Sequence, residues 1–278
     1  MNAWVRVLRR GWVYPVVLLL LAIFLFPYAW LLSGAFKSAR EVFGVPPHLI
    51  PQHPVVTNFA DGWGRPDIRR FFLNSTVITL TTLAVNLLLG SAAAFALSTH
   101  QFRGRRTLVL GTLATQLFPA VIVVVPLYRT WAALGLLNTL QALITTYIAY
   151  TLPLAVWMLT GYMRTIPFEI ISAALVDGAS RAQLYWRIVM PLALPGVAAT
   201  AVYVSLVSWN EFIFAVTLTH TANVRTVTVG LYSFIGEFVY NWNLLLAMAV
   251  LMALPVAALF LCLQRFLVQG LTAGATKG

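Results

Sequence analysis

Long apolar stretches recur along this sequence, and they constrain its fold more than any other feature. A helix that crosses the roughly 30 Å hydrocarbon core of a bilayer needs about 20 mainly apolar residues. Six stretches of the sequence have this length and character. They cover approximately residues 12–34, 72–98, 107–128, 140–163, 191–216 and 242–266. The pattern predicts an all-α integral membrane fold with six transmembrane helices.

The composition agrees with a membrane protein. Hydrophobic residues make up 60% of the chain and charged residues only 9%, whereas soluble domains contain about 45–50% and 25%. This little charge cannot cover a globular surface in water. The formal net charge of +11 would suggest nucleic acid as a partner of a soluble protein. Here the basic residues lie between apolar stretches, so we expect a lipid membrane and no nucleic acid.

The basic residues also predict the orientation. Cytoplasmic loops carry an excess of Lys and Arg, and most of the 18 basic residues lie inside when the N-terminus is placed there. The inner set includes Arg6, Arg9 and Arg10 before the first span, the short loop 100–106, and Lys277. We therefore expect both termini in the cytoplasm. No soluble domain or internal repeat is evident, so residues 1–278 are expected to form a single transmembrane domain.

The segment 164–190, between the fourth and fifth predicted spans, is too apolar for a passive linker. Pro167 and Glu169 suit a helix start, since proline fits the first turn and a carboxylate favours the positive end of the helix dipole. Phe168, Ile171 and Leu175 then recur at helical spacing and predict one apolar stripe.

A break and a second helix follow in the same segment. Asp177-Gly178 ends the first helix, residues 179–188 can form another, and Pro191 begins the return into the membrane. The pattern predicts a short helix lying flat at the cytoplasmic surface. From the residues alone, its stripe could dock into a partner's groove or lie among lipid headgroups.

Short motifs in this segment and elsewhere carry a family resemblance. The run Ser172-Ala-Ala174, Gly178 and Ile188-Val-Met-Pro191 resembles the E-A-A-x3-G-x9-I-x-L-P signature of the membrane subunits of ABC importers. Other motifs resemble the maltose-permease type of carbohydrate importer. They are Phe36-Lys37, Asn58-Phe59, Asn74-Ser75, Pro126-Leu-Tyr128, Gly135-Leu-Leu-Asn-Thr139, Gly161-Tyr162, Ile166-Pro167, Val176-Asp-Gly-Ala-Ser180, Trp209-Asn-Glu-Phe212 and the tail 270–278.

The resemblance implies a permease subunit of an ATP-driven sugar importer in the bacterial inner membrane. Its implied partners are a second homologous permease subunit, two cytoplasmic ATPase subunits, an extracytoplasmic solute-binding protein and a sugar. The segment 164–190 would be a coupling loop that docks on an ATPase. The docking residues implied are Phe168, Glu169, Ser172, Ala173, Ala174, Asp177, Gly178 and Ser180. The sequence departs from the signature at Ser172, where the family has Glu, and at Met190, where it has Leu.

This chain lacks the residues for an ATP site of its own. A phosphate-binding loop needs G-x4-G-K-[ST], and Phe36 precedes the Lys37-Ser38 pair where glycine is required. The four His residues are scattered and a single Cys262 is present, so we expect no metal site and no enzyme activity. We expect no bound cofactor; ATP and Mg²⁺ would belong to the partner ATPase subunits.

Glu211 is the best candidate for a solute contact, because ionisable groups inside a membrane usually face a pathway. With Trp209 and Asn210 it offers a carboxylate, an aromatic plane and an amide. Tyr147 and Tyr150 on the fourth span could line the same path. The alternative for Glu211 is a structural pair with Arg225 or a neighbouring helix, and for the tyrosines an interfacial belt.

Two further expectations concern the outside and the mechanism. The connection 217–241, with Arg225, Glu237, Tyr240 and Asn241, is polar enough to meet a solute-binding protein. The alternative function is a secondary transporter or channel that works without an ATPase. Such transporters usually show repeated halves and an embedded ion-coupling cluster, and neither is evident here.

Overall fold

A computed structural model describes residues 13–232, 234–235 and 241–275, with side chains up to residue 266. Several predictions fall outside the described residues. They concern Arg6, Arg9 and Arg10, Glu237 and Tyr240, and the end of the tail with Lys277.

Helices make up most of the described backbone. In chain order they are α1 (Val13–Ala35), α2 (Ala39–Val42), α3 (Thr57–Trp63), α4 (Pro66–Thr99), α5 (Arg105–Ala114), α6 (Ala120–Ala133), α7 (Leu140–Met163), α8 (Phe168–Val176), α9 (Arg181–Gln183), α10 (Met190–Leu192), α11 (Leu194–Asn210), α12 (Ile213–Leu218), α13 (Val227–Tyr232) and α14 (Trp242–Ala275). A 3₁₀ turn, Thr115–Leu117, follows α5, and a π-helical turn, Leu184–Val189, joins α9 to α10.

The spans agree with the predicted fold class. Within the described part of the chain, four helices are long and apolar enough to cross a membrane: α1, α4, α7 and α14. Two bent pairs, Arg105–Leu117 with Ala120–Ala133 and Arg181–Leu192 with Leu194–Asn210, bring the number to six if each pair is one span. The predicted spans at 107–128 and 191–216 each correspond to one of these bent pairs.

The third span bends by 95° because of a proline. Pro119 disfavours helical backbone angles in the residue before it, and Phe118 is extended, with φ −82° and ψ 117°. The helix restarts directly after Pro119 at α6. The span thus consists of two helices that meet at this corner.

The fifth span bends by 76° at Ala193. Helix α11 begins at Leu194, after the bend, and Pro191 lies in the short helix α10 before it. Pro195 lies in the first turn of α11, where the missing N–H removes no helical hydrogen bond. A second interruption follows at Glu211, whose extended backbone separates α11 from α12.

The described chain divides into two compact units. The first comprises residues up to Ile68 together with Leu231–Ala253. In it, Asn58 Nδ2 donates to the carbonyl oxygens of Ala35 and Lys37 at 2.9 and 2.8 Å, and its Oδ1 accepts from Asn243. Lys37 is buried, donates to the His48 carbonyl and lies 4.8 Å from the centre of the Trp30 ring.

The second unit comprises Arg69–Gly230 and the residues from Leu254 onward. It holds two clusters of buried side chains. One includes Leu143 and Tyr147 from the start of α7, and the other includes Leu159 and Met163 from its end. Helix α7 therefore connects the two clusters.

A close contact between α7 and α11 gives a stability prediction. A Cβ atom on Gly196 would lie 2.5 Å from Cγ of Tyr162, so Gly196→Ala should destabilise the protein by about 1–3 kcal/mol through overpacking. Thermal unfolding of the purified protein measures the effect. Gly111→Ala is the matched control, since a Cβ there meets nothing within 4 Å. An equal melting temperature for both variants would contradict the contact.

Candidate functional site

Helix α8 forms the first half of the predicted coupling loop, and it divides its apolar residues between two sides. Ile171 and Ala174 are only 8% and 9% exposed and pack into the cluster formed with Leu159 and Met163. Phe168 is 68% exposed and Val176 87%. Of the predicted stripe, Ile171 packs against its own chain, while Phe168 and Leu175 remain exposed.

Gly178 ends α8 in a Schellman motif. Its φ is +82°, a left-handed conformation that glycine adopts without strain. The Ala179 N–H donates to the Ala174 carbonyl at 3.0 Å and the Gly178 N–H to the Leu175 carbonyl at 3.1 Å, as this motif requires. The space beside Gly178 is open, since an added Cβ meets nothing within 4 Å.

Two serines of the loop are used locally. Ser180 caps the next helix: its Oγ accepts from the Gln183 N–H, and Gln183 Oε1 accepts from the Ser180 N–H. Ser172 Oγ donates to the Phe168 and Glu169 carbonyls of its own helix. At the position where the family signature has Glu, the Ser172 hydroxyl is thus bonded within α8. The side chains of Glu169, Ala173 and Asp177 are exposed.

The part of the loop after Gly178 is attached to the end of α4. Tyr185 shares a hydrogen bond of 2.6 Å with Ser91, and its ring lies edge-on to Phe95 at 5.2 Å. Arg181 Nη1 donates to His100 Nε2 at 2.8 Å. The loop is therefore attached to α4 as well as to α7.

Glu211 lies at the interruption between α11 and α12. Its Oε1 accepts from the Phe214 N–H at 2.8 Å, and its Oε2 accepts from the Ala215 N–H at 3.0 Å and from the Tyr147 hydroxyl at 2.7 Å. The carboxylate therefore caps α12 and joins it to α7. This arrangement corresponds to the structural alternative, with Tyr147 of a neighbouring helix as the partner and not Arg225.

The other predicted pathway residues separate. Trp209 is buried, and it lines a cavity of about 100 Å³ with Thr76, Ser205 and Pro255. The Asn210 amide donates to the Leu206 carbonyl of its own helix at 2.9 Å. Tyr150 faces a different cavity. The structure thus does not bring the five residues to one place.

The Tyr150 cavity has a volume of about 280 Å³ and lies at the corner of the third span. Gln116, Phe118, Thr146 and Phe214 also line it. Gln116 Nε2 donates to the Tyr150 carbonyl at 2.7 Å, and the Tyr150 ring lies edge-on to Phe214 at 5.5 Å. Amide and hydroxyl groups beside aromatic rings can bind a polar ligand that has an apolar face. Gln116 could not be singled out from the sequence, because its partner Tyr150 lies 34 residues further along the chain.

Three motif residues have structural roles that their sequence did not reveal. Asn74 Nδ2 donates to the Asn223 and Arg225 carbonyls, both at 2.9 Å, and Ser75 Oγ accepts from the Val227 N–H at 2.9 Å. Asn138 Oδ1 accepts from the His220 and Thr221 N–H groups at 2.8 and 3.0 Å. These bonds hold the described start of the predicted outer connection against α4 and the turn before α7.

The described fold is that of a helical membrane protein with a bent loop between its fourth and fifth spans. The chain belongs to the binding-protein-dependent transport system inner membrane component family, whose model matches residues 86–273. It is accordingly the permease of an ABC importer and not its ATPase. The family gives no support to a secondary transporter or channel.

Known proteins similar to this chain agree with that family. The inner membrane ABC transporter permease protein YcjP of Escherichia coli (strain K12) is 38% identical, with 98% of each chain covered. The trehalose/maltose transport system permease protein MalG of Thermococcus litoralis is 34% identical, with 98% of this chain and 99% of that protein covered. In fold, the chain is similar to a chain of a bacterial ABC transporter involved in the import of alginate. The TM-score is 0.78 at 20% identity, covering 95% of this chain and 98% of that one.

The Tyr147–Glu211 contact gives a testable prediction. Tyr147→Phe should lower stability through the loss of a hydrogen bond to a charged group, an interaction worth about 1.5–3 kcal/mol. In a double-mutant cycle with Glu211→Ala, the effects should be non-additive by a similar amount. Thermal unfolding of the single and double variants measures this coupling. Full additivity would show that the two side chains do not interact.

Proposed function

We propose that this chain is a permease subunit of a sugar importer and forms half of the translocation pathway. It would act as one transmembrane permease domain over residues 1–278. Its partners would be a second homologous permease subunit, two cytoplasmic ATPase subunits and an extracytoplasmic solute-binding protein. The family description and the trehalose/maltose relative support this assignment.

The energy source would be ATP bound with Mg²⁺ in the ATPase subunits. This chain has no phosphate-binding loop in its sequence, so it would transmit a movement and not hydrolyse a nucleotide. The excess of basic residues in the predicted inner segments supports cytoplasmic termini. In that orientation the loop 164–190 faces the ATPases.

The observation that carries the proposal is the exposed apolar surface of α8. Phe168 and Val176 project from a helix whose opposite side is fixed by Ile171 and Ala174. An apolar edge on a firmly anchored helix suits a groove on a partner protein. Glu169 in the first turn and Asp177 at the end add negative charge beside that edge.

Movement of the docked loop would be transmitted by its attachments. The Tyr185 contacts with Ser91 and Phe95 connect it to α4, and the buried cluster of Ile171, Leu159 and Met163 connects it to α7. Helix α7 continues to the Tyr150 cavity. When two ATPases close and pull the loop, these two helices would move with it and change access to the pathway.

Substitution at the loop bend tests the docking. In an importer reconstituted from all five subunits, Gly178→Val should reduce solute transport per ATP hydrolysed by about tenfold, because a left-handed conformation costs a non-glycine residue about 1–2 kcal/mol. Uptake into proteoliposomes and phosphate release, with loaded binding protein present, measure the two rates.

Gly135→Val is the matched control for this experiment. Gly135 also has a positive φ, +67°, and an open surrounding, but it lies in the turn before α7 on the predicted outer side. Full transport by Gly178→Val would contradict the docking role. An equal loss in both variants would assign the effect to backbone strain in general.

For the solute pathway, we propose the cavity at the corner of the third span. A sugar ring could form hydrogen bonds with Gln116 and the Tyr150 hydroxyl and contact Phe118 or Phe214 with its apolar face. The division of the span into two helices at this point supports the assignment, because transporter sites are commonly built where membrane helices are interrupted. Glu211 and Tyr147 would hold the wall of the site, and Trp209 and Asn210 would lie outside it.

Gln116→Leu should slow uptake at saturating binding protein by about fivefold to tenfold, the effect of about one hydrogen bond. ATP hydrolysis without solute should stay unchanged. Tyr150→Phe keeps the ring and removes only the hydroxyl, so its effect should be smaller. Gln141→Leu replaces an exposed glutamine outside the cavity and is the control. An uptake rate that is unaffected in both cavity variants would place the solute elsewhere.

A further inference from the structure

A basic cavity lies beside the loop between α4 and α5. Its volume is about 810 Å³, and Arg105, Arg106 and Arg164 line it together with Gln101 and Trp157. All of these residues belong to the second unit. None of them is among the residues proposed for docking or for the solute pathway, so the function proposed above leaves the cavity without a role.

None of the described residues that line this cavity is acidic. No Asp or Glu occurs from residue 68 to residue 168, and Arg105 lies close enough to Arg164 for their charges to repel. Arg105 Nε is buried without a hydrogen-bond partner, and Nη1 reaches the His100 carbonyl only at 3.4 Å. An anion from outside the chain would reduce this repulsion and accept hydrogen bonds from the guanidinium groups.

The backbone at the cavity adds further donors. Helix α5 begins at Arg105 after Gly104, which has no capping side chain, and its first turn contains no acidic residue. Within the described residues, the N–H groups of Arg106 and Thr107 have no acceptor. These N–H groups lie at the positive end of the dipole of α5. They would strengthen an anion site that the three arginines already define.

Apolar surface continues from the basic cavity. Trp157 is 46% exposed. It precedes Arg164, the helical C-cap of α7, by seven residues, which places the two on the same side of the helix and roughly 10 Å apart along its axis. Phe102 and Leu110 also line the cavity and are exposed. Leu108, in the same helix as Leu110, is exposed as well. The ligand that matches this surface has an anionic head and an apolar body.

We propose that this cavity binds an acidic phospholipid of the cytoplasmic leaflet. The phosphate would lie between Arg105, Arg106 and Arg164, and the acyl chains would extend along Trp157 and the apolar side of α5. Charge complementarity selects an anionic headgroup over phosphatidylcholine. The adjoining apolar side chains select a lipid over free phosphate, which has nothing to place there.

The test uses the complete importer in nanodiscs of phosphatidylcholine with a minor fraction of phosphatidylglycerol. Native mass spectrometry counts the lipids retained by the complex. We expect the double variant Arg105→Gln with Arg164→Gln to lower the preference for phosphatidylglycerol by about thirtyfold, the effect of two basic residues at an anionic surface. The double variant Arg69→Gln with Arg129→Gln removes two exposed arginines outside the cavity and should keep the preference.

Three results would overturn the proposal. The first is an unchanged preference for phosphatidylglycerol in the cavity variant. The second is displacement of the lipid by millimolar inorganic phosphate, which would make the cavity a site for a free anion. The third is loss of the ATPase subunits with the lipid retained, which would make it a protein contact. Replacement by Lys in place of Gln keeps the charge and should restore the preference, so a folding defect can be recognised.

Discussion

The constraint on which this structure depends is that backbone polar groups in a lipid environment must find partners within the protein. A continuous helix satisfies them by itself, but the third and fifth spans are interrupted. At each interruption a polar side chain supplies bonds to the backbone: Gln116 donates to the Tyr150 carbonyl, and Glu211 accepts from the Phe214 and Ala215 N–H groups. The Glu211 bonds satisfy two N–H groups in the first turn of α12, and the Gln116 bond joins the corner of the third span to α7.

Both interruptions are bonded to the same part of α7. Tyr147 bonds to Glu211 at the break of the fifth span, and Tyr150, one turn later, faces Gln116 at the break of the third. The far end of the same helix supports the coupling loop through Leu159 and Met163. In the proposed function, α7 therefore links two sites. One is the loop that an ATPase would move, and the other is the cavity that a solute would enter.

The loop and the cavity differ in how far the sequence could predict them. Phe168, Glu169 and Gly178 could be assigned from helix-start signals, spacing and the family signature, because these features are local. The inward position of Ile171 and the local bonds of Ser172 could not, because helical spacing marks an apolar side without saying what covers it. Glu211 could be singled out as an acid inside a predicted span, yet its partner Tyr147 is 64 residues away and no pattern relates the two.

The sequence by itself determined the membrane class, the approximate number and limits of the spans, the bend at Gly178 and the family. Each of these follows from composition, from apolar length or from residues adjacent in the chain. Only the tertiary structure decided which side chains meet at the two breaks, that Trp209 and Tyr150 line different cavities, and that Arg164 joins Arg105 and Arg106 around one cavity. Those outcomes depend on how helices distant in sequence pack together, which a local pattern does not encode.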